Sequence, residues 1–516
     1  MNQLSIKQTK QIYWASGIVS ICGIIFEVLF GALGSYILGD GVKQYTLTIS
    51  LFLTGMGLGA YISEKVGRKL IAYFIGIEYA VAAIGGLSSF LMFGITAYLP
   101  SGSDALFLYG VIVTIGTLTG LELPILIRKA NEIGVTINKS TARVLFSDYA
   151  GGLVGGILFA FWLRPYFGLV KTAFLVGLIN LAVAFWILFI FKQELRRIRL
   201  KAVIGGLIAV ILVWGLFFGE EAAFMFEQKI YRDPIIYSQN TEYQKIVMTK
   251  EQGDLRLYLN GNLQFSSVDE YRYHETLVHP VMAMVQKPRD VLILGGGDGL
   301  AAREVLKYPF VKQIDLVDLD PEMTRLGQHN DLLTQLNHQS LNNDKVTVFN
   351  QDGYEYLDNH SDMYDAVFID LPDPEDTSLS KLYSKSFYKL VKQHLKPGGA
   401  IIVQSTSPVF ATKVYWTINK TVESAGFKTE NLHVDIPSFG NWGFVIGRRK
   451  PVNIDQVRLR NVDMRYLNND TLHAMDTFGK DIDANVRQNG EKVKWQPNTL
   501  QHPIIIEMYQ KAWLYY

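Results

Sequence analysis

The chain has 516 residues, enough for two or more domains, and 49% of them are hydrophobic. Its formal net charge of +1 gives no sign of a nucleic-acid partner, and we expect none. A single cysteine, Cys22, excludes an intramolecular disulfide and a cysteine-rich metal site. The hydrophobic residues are concentrated before about residue 220, and an ordinary soluble composition follows.

The N-terminal part, residues 1–220, predicts a multi-pass membrane domain of about seven helices. Each of seven apolar stretches approaches the ~20 residues that cross a bilayer as a helix. The first is too long for a cleavable signal peptide. The fifth contains Asp148 and several glycines, so a broken or re-entrant segment is an alternative there. The predicted spans are 13–38, 45–63, 70–95, 104–127, 145–163, 170–191 and 202–219.

Loop charges predict how this domain is oriented. Lys and Arg are concentrated in the N-terminal tail and in the second, fourth and sixth loops, which favours a cytoplasmic N-terminus. Seven crossings would then place residue 220 outside the cell. The chemistry described below favours a cytoplasmic catalytic domain, so we expect that domain in the cytoplasm and one span miscounted or re-entrant. Of three glutamates in or near the spans, Glu27 is a better candidate for a polar site than Glu78 or Glu122.

Residues 221–289 predict a small β subdomain. Lys245–Thr249 and Leu255–Leu259 flank a turn at 251–254 and are typical of a β-hairpin. Asn260-Gly261 is a further turn signal. A helix is predicted over 270–284.

Residues 290–450 predict an α/β domain of the Rossmann-like type, because strands alternate with helices. We expect a parallel sheet with helices on both faces and ligands beyond the carboxyl ends of its strands. A glycine-rich turn, Gly295–Gly299, follows the first strand, and Asp318 comes 23 positions after Gly295. This spacing suits a carboxylate that binds ribose hydroxyls. The predicted strands are 291–294, 313–317, 345–350, 365–369, 399–404 and 443–447.

Acidic residues follow several of these strands. Asp298 lies in the glycine-rich turn, Asp352-Gly353 follows the third strand, and Asp370 and Asp373 follow the fourth. Carboxylates gathered at one edge of a sheet would suit a cationic substrate. The alternative is a solvated, turn-forming Asp-Pro loop, which these residue types also favour.

Taken together, residues 230–449 resemble the spermidine synthase, or polyamine aminopropyltransferase, family, and the membrane half is similar to its multi-pass membrane members. The resemblance rests on ordered blocks spread over some 200 residues. The blocks are Tyr243-Gln244, 259–261, 269–275, 295–299, 318–320, Asp352-Gly353, 370–374 and 395–399.

The resemblance implies decarboxylated S-adenosylmethionine as the donor co-substrate, with no cofactor or metal, and an amine such as putrescine as the acceptor. The implied donor-binding residues are Gln244, Asp298, Asp318, Asp352 and Gly353. Asp370 is the implied catalytic residue. Tyr273, His274 and Asp373 are implied on the acceptor side.

Elementary chemistry agrees with these roles. Asp298 would repel the carboxylate of intact S-adenosylmethionine and attract the ammonium that decarboxylation leaves. Attack on the carbon beside the sulfonium requires a neutral amine, whose conjugate acid has a pKa near 10. A carboxylate must therefore accept a proton, and we assign that role to Asp370.

The chain departs from the family pattern at the acceptor side. His274 stands where the family usually has Gln, and the segment 436–443 lacks the tyrosine of soluble members. Phe439 or Trp442 could instead wall the methylenes of the amine. No chemistry is assigned to the C-terminal extension, residues 451–516.

We therefore expect a membrane-bound aminopropyltransferase that makes spermidine and 5′-methylthioadenosine. One alternative is an S-adenosylmethionine-dependent methyltransferase of similar fold. Another is a polyamine transporter or sensor whose soluble domain only binds. The expected partners are the amine and the lipid bilayer, and a homodimer is among the assemblies that the sequence permits.

Overall fold

The computed structural model describes residues 3–39, 41–100, 102–488 and 491–513. The described chain divides into two compact units, 1–232 and 233–516.

The first unit consists of helices. Its helices are α1 (Gln3–Leu38), α2 (Gly41–Ile62), α3 (Leu70–Tyr98), α4 (Ser103–Glu132), α5 (Ile137–Leu158), α6 (Arg164–Ile190) and α7 (Ile198–Glu227). Six segments of the described chain are long and apolar enough to cross a membrane. The fifth of them, Ile137–Ile190, contains the fifth predicted span and all but the last residue of the sixth.

This long segment is interrupted where its backbone leaves the helical region at Gly168 (φ 64°, ψ −171°). Glycine contacts give the direction of each half. A Cβ on Gly155 would lie 2.6 Å from the carbonyl oxygen of Ile21, and Gly17 faces Ser147, so α5 runs parallel to α1.

The second half runs the opposite way. A Cβ on Gly177 would lie 2.8 Å from the carbonyl oxygen of Ala82, while Gly86 faces Ala173, so α6 is antiparallel to α3. Helix α3 itself is parallel to α1, since Phe26 packs at Gly85 and Tyr36 at Phe93. The two halves therefore run in opposite directions on either side of Gly168.

The sequence made Glu27 the best of three candidates for a polar site in this unit, but the other two glutamates are more deeply buried in the structure. Glu78 is fully buried and Glu122 nearly so, whereas Glu27 is only partly buried. The carboxyl groups of Glu78 and Glu122 lie close enough to interact. Helical periodicity alone could not show that these two positions, on different helices, share one interface.

The second unit begins with a four-stranded antiparallel sheet in the order β1-β2-β3-β4, which confirms the predicted hairpin. Asn260 and Gly261 have φ values of 51° and 85°, as the predicted turn requires. Helix α8 (Glu270–Met284) follows, with the predicted bounds. The strands are β1 (Ile235–Asn240), β2 (Lys245–Glu251), β3 (Asp254–Leu259) and β4 (Asn262–Ser266).

A seven-stranded sheet forms the centre of the second unit and confirms the predicted Rossmann-like class. In chain order its elements are β5 (Asp290–Gly295), α9 (Leu300–Leu306), β6 (Gln313–Asp318), α10 (Pro321–His329), α11 (Asp331–Leu336), β7 (Val346–Asn350), α12 (Gly353–Asn359), β8 (Tyr364–Asp370), α13 (Thr377–Leu382), α14 (Lys385–Gln393), β9 (Leu395–Gln404), α15 (Thr412–Ser424), β10 (Lys428–Ile436) and β11 (Gly440–Arg448). Alternate residues of the central strands enter two hydrophobic clusters, one on each face: Ile293 and Ile402 on one, Leu294 and Val403 on the other.

The strand order is β10-β11-β9-β8-β5-β6-β7, and the five strands from β9 to β7 are parallel. The expectation of a wholly parallel sheet was wrong at one edge. The unpredicted strand β10 and its partner β11 are antiparallel, because the short link between them cannot make a crossover. In β10 the buried residues Leu432, Val434 and Ile436 alternate with more exposed neighbours, as in an edge strand.

The remaining residues form α16 (Asn469–Ala474), the short strands β12 (Arg487–Gln488) and β13 (Glu491–Lys492), and α17 (Ile504–Trp513). One buried carboxylate anchors the start of this extension. Glu275 of α8 accepts hydrogen bonds from the backbone N–H groups of residues 465–467 at 2.6–2.9 Å. The extension is thus tied to the helix that also carries two candidate site residues.

Candidate active site

The strand order reverses between β5 and β8, and ligands of such sheets bind beyond the strand ends at this point. Gly295 ends β5 and pairs with Asp370, which ends β8. A Cβ on Gly295 would lie 2.0 Å from the Asp370 carbonyl oxygen, and its φ is 85°, so only glycine fits. The glycine-rich turn therefore lets two strand ends, and the carboxylate of Asp370, meet at the switch point.

Asp318, at the end of β6, faces the same turn. One carboxylate oxygen accepts the N–H of Gly297 at 3.0 Å, and the other accepts the N–H of Asp320 at 3.0 Å. Burial raises the pKa of Asp318 to about 6, although these two hydrogen bonds oppose the rise. The backbone thus fixes the direction of a carboxylate that can accept hydroxyl donors.

Asp298 and Asp370 form the centre of the site. The hydroxyl of Tyr273, from α8, donates to Asp370 at 2.5 Å. Burial raises the pKa of Asp370 to about 6; His274 opposes the rise and Asp298 adds to it. Burial likewise raises the pKa of Asp298, whose carboxylate accepts the N–H of Leu300 at 2.8 Å.

His274 lies behind these carboxylates. Its Nδ1 is 2.7 Å from Glu270, whose two oxygens also accept a bidentate pair of hydrogen bonds from Arg303, each at 2.9 Å. Burial lowers the pKa of His274, but the hydrogen bond and charge of Glu270 outweigh it and raise the pKa to about 8. A protonated His274 supplies a buried positive charge that interacts with Asp298 and Asp370.

Asp373 follows β8 by three residues and is held by donors from other elements. Gln404, at the end of β9, donates to one carboxylate oxygen at 3.1 Å, and the Thr406 hydroxyl donates to the other at 2.8 Å. The hydroxyl of Tyr509, in α17, lies close enough to the same carboxylate to interact with it. Burial raises the pKa of Asp373, and these three donors oppose the rise.

Two predicted donor-site residues serve structural contacts as well. Asp352 caps α12 by accepting the N–H of Tyr354 at 2.7 Å, and it forms a 2.9 Å salt bridge with Lys381. Burial alone would raise its pKa, but Lys381 and the backbone donors outweigh burial and lower it. The Gln244 side chain donates to Asp320 at 2.9 Å, beside the strand that ends in Asp318.

The structure therefore gathers Asp298, Asp318, Asp370 and Tyr273 at the switch point, with His274 behind them. It places Asp373 beside Gln404, Thr406 and Tyr509, which were not predicted from the sequence as site residues. Phe439 packs on Tyr273 and on Trp442, with ring centroids 6.2 and 5.0 Å apart. Trp442 also donates to Gln404 at 3.1 Å.

No three His, Cys, Asp or Glu side chains within the described ranges are arranged to hold a metal ion. The site instead holds several partly buried carboxylates, with one histidine as the nearest cation. Such an arrangement can attract cationic groups, orient hydroxyl and ammonium donors, and accept a proton near neutral pH.

Comparison with known proteins gives the family. The model of the Spermine/spermidine synthase domain matches residues 270–456, which include most of the site. A polyamine aminopropyltransferase of Oceanobacillus iheyensis is 61% identical over 513 residues and covers 99% of both chains. The chain belongs to the polyamine aminopropyltransferase family.

Two further comparisons concern a sequence relative and a solved structure. A polyamine aminopropyltransferase of Leptospira interrogans is 38% identical and covers 97% of this chain and 98% of its own. A solved spermidine synthase, in complex with the transition state analogue AdoDATO, is 23% identical, with a TM-score of 0.44, and covers 48% of this chain and 85% of its own. The protein is thus an enzyme of the aminopropyltransferase class, and the spermidine synthase family uses decarboxylated S-adenosylmethionine as co-substrate.

Proposed function

We propose that this enzyme transfers the aminopropyl group of decarboxylated S-adenosylmethionine to putrescine, giving spermidine, 5′-methylthioadenosine and a proton. The observation that carries the proposal is the cluster of Asp298, Asp318 and Asp370 around the switch point of the sheet. Its partly buried carboxylates suit a donor that carries a sulfonium and an ammonium but no carboxylate.

The donor is proposed to lie across the ends of β5 and β6. Asp318 accepts the ribose hydroxyls, since its two oxygens are already aimed by Gly297 and Asp320. Asp352 and Gly353 hold the adenine, and Gln244 covers the donor from the small β sheet. Asp298 binds the aminopropyl ammonium, with Asp370 on the other side of it.

The chemical step needs one proton acceptor. The lone pair of the neutral amine attacks the carbon beside the sulfonium, and the carbon–sulfur bond breaks. The departing thioether keeps the electron pair of the broken bond. The new carbon–nitrogen bond leaves a charged secondary amine. Before the attack, Asp370, with a pKa of about 6, accepts the proton whose loss makes the attacking amine neutral, and it then releases this proton to solvent. Tyr273 orients Asp370 by donating to one of its oxygens.

The methyltransferase alternative is disfavoured by the same cluster. Intact S-adenosylmethionine would bring its carboxylate toward Asp298, which lies inside the glycine-rich turn. Like charges held in a buried site cost several kcal/mol unless one is neutralised. Decarboxylation removes that cost.

The proposal is tested by product analysis on the purified full-length protein in detergent. With decarboxylated donor and putrescine, spermidine and 5′-methylthioadenosine should form in equal amounts, identified by mass. Cadaverine and spermidine as acceptors would establish the acceptor range. If no amine in this panel gains an aminopropyl group, the proposed function is wrong.

We also propose that the helical unit is embedded in the cell membrane and that the catalytic unit faces the cytoplasm. The six apolar segments support embedding. The donor is a charged cytoplasmic metabolite, which supports the cytoplasmic placement. Because α5 and α6 run in opposite directions, a re-entrant fifth span no longer explains that placement. A cytoplasmic catalytic unit would instead require the basic loops to face outward, against their usual distribution.

Sidedness is open to a direct experiment. Protease added to intact cells should leave a C-terminal tag uncleaved, and permeabilised cells should lose it. Cleavage in intact cells would place the catalytic unit outside. The enzyme would then need exported donor, and transport by the helical unit would become the leading explanation of that unit.

A further inference from the structure

The C-terminal extension reaches the proposed acceptor side of the site. Helix α17 lies beyond residues 270–456, which the family model matches, yet its Tyr509 hydroxyl lies close enough to the Asp373 carboxylate to interact with it. The neighbouring Gln510 side chain lies 3.5 Å from the backbone oxygen of Glu375. Two consecutive residues of α17 thus contact the loop that follows β8.

Packing fixes the position of this helix. Ile505 is fully buried, and Met508 accepts a hydrogen bond from Thr417 of α15 at 3.6 Å. Just upstream, the buried side chain of Asn498 donates to the backbone oxygens of Ser380 and Tyr383 at 3.1 Å. Tyr509 is therefore presented to Asp373 by a segment that is itself anchored beside the site.

Among the described residues, the carboxylates of Asp373 and Glu375 have no Lys or Arg partner. Within the described residues, neither Asp373 nor Glu375 forms a salt bridge with Lys or Arg. Burial raises the pKa of Glu375 to about 7, and Asp376 and Asp373 contribute to that rise. Among the described residues, the hydrogen-bond donors to these carboxylates are neutral: Gln404 and Thr406 for Asp373, and Asn262 for Glu375. The Tyr509 hydroxyl beside Asp373 is neutral as well. A cationic group of the acceptor would supply the missing charge.

We propose that Tyr509 is a positioning residue of an acceptor subsite, in which Asp373 and Glu375 bind the second ammonium of a diamine beneath helix α17. Tyr509 aims the Asp373 carboxylate, and its ring closes that end of the site against longer amines. The proposal rests on the proposed aminopropyl transfer and adds to it the recognition of the acceptor's far end.

The test is Tyr509→Phe in the full-length protein, which removes the hydroxyl and keeps the ring that packs in α17. The matched control is Tyr388→Phe, because the buried Tyr388 hydroxyl has no hydrogen-bond partner among the described residues. Steady-state kinetics are measured with decarboxylated donor and two acceptors. Putrescine carries a second ammonium, and 1-aminobutane has the same chain length without one.

For putrescine, Tyr509→Phe should raise KM roughly tenfold or more, as expected when a polar group that interacts with a charged one is lost. The KM for donor should change by less than about twofold. With 1-aminobutane the variant and the wild type should have the same kcat/KM, since no second ammonium reaches the subsite. Tyr388→Phe should match the wild type with both amines.

A second variant tests whether the Tyr509 ring excludes longer amines from the site. Tyr509→Ala should raise the ratio of kcat/KM for spermidine to that for putrescine, because the ring no longer blocks the longer amine. Equal KM values for putrescine in Tyr509→Phe and wild type would overturn the proposal, as would an equal loss with both four-carbon amines. Failure of the wild type to aminopropylate any amine would instead reject the proposed function on which it rests.

Discussion

Replacing Asp370 with Asn should separate the catalytic role of this residue from its effect on stability. The substitution keeps the shape of the side chain and an oxygen that can accept the 2.5 Å hydrogen bond from Tyr273. It removes the base, so the chemical step should slow by ~10²–10⁴-fold, while donor binding is largely kept. That loss corresponds to about 3–5 kcal/mol of transition-state stabilisation.

The same substitution should stabilise the fold at neutral pH. Burial raises the pKa of Asp370 from its ordinary 3.8 to about 6, so ionisation is less favourable in the folded than in the unfolded protein. Stability is therefore lost as the pH rises from about 4 through 6, by up to ~3 kcal/mol. The amide of the Asp370→Asn variant is never ionised, so the variant avoids this loss. Part of the gain is offset because protonated His274 loses a neighbouring anion, and we expect a net gain of about 1–3 kcal/mol.

Two assays check these signs. The pH profile of kcat/KM in the wild type should fall below an apparent pKa of about 6, and Asp370→Asn should lose this acid limb. Thermal unfolding should give the variant a higher midpoint than the wild type at pH 8, and the difference should vanish near pH 4. Asp365→Asn is the control on the same strand. The pKa of Asp365 is lowered, because two backbone N–H groups and Lys396 outweigh its burial. That variant should be less stable and fully active.

Near-normal turnover of Asp370→Asn would refute the assignment of the base. An unchanged acid limb in that variant would show that another group sets the pH dependence. A lower unfolding midpoint at pH 8 would contradict the electrostatic reasoning, even if activity were lost.

Three further predictions follow from neighbouring contacts. Asp298→Asn should weaken binding of the decarboxylated donor roughly 10–100-fold and reduce its preference over intact S-adenosylmethionine, measured by calorimetry with each donor; an unchanged preference would contradict its role. Gly295→Ala should abolish activity, because its Cβ would lie 2.0 Å from a strand carbonyl oxygen. Gly261 has the same φ of 85° and open space around it, so Gly261→Ala should only lower stability by the ~1–3 kcal/mol of backbone strain. Equal activities of the two variants would contradict this reasoning. Glu275→Gln should speed hydrogen exchange of the amides of residues 465–467 and lower stability by about 1–3 kcal/mol, and unchanged exchange would show that the anchor is elsewhere.

The elements around the glycine-rich turn could be predicted because local signals agree there. An apolar strand, a turn that only glycine can form, and an acidic residue at the next strand end indicate the same edge of one sheet. Asp298, Asp318 and Asp370 follow from that pattern, since parallel strands bring their carboxyl ends together. The helix 270–284 was equally clear from its local composition.

Other features depend on contacts between distant parts of the chain. Strand β10 was overlooked because it begins with four polar residues, and polar and apolar residues alternate only over 432–436. Tyr509 approaches Asp373 only because the C-terminal extension is anchored by Glu275 and Asn498. The change of chain direction at Gly168 was not predicted beyond a broken or re-entrant fifth span, since hydropathy does not give the direction of a helix. The pairing of Glu78 with Glu122 likewise requires the packing of α3 against α4.

The most direct test of the central claim is a competition between the two donors in one reaction. The full-length protein is given putrescine, decarboxylated S-adenosylmethionine, and intact S-adenosylmethionine with a deuterated methyl group, and the amine products are identified by mass. We predict that putrescine gains an aminopropyl group and no deuterated methyl group. A deuteromethylated amine without any aminopropyl product would contradict the claim that the carboxylates of the site select the decarboxylated donor.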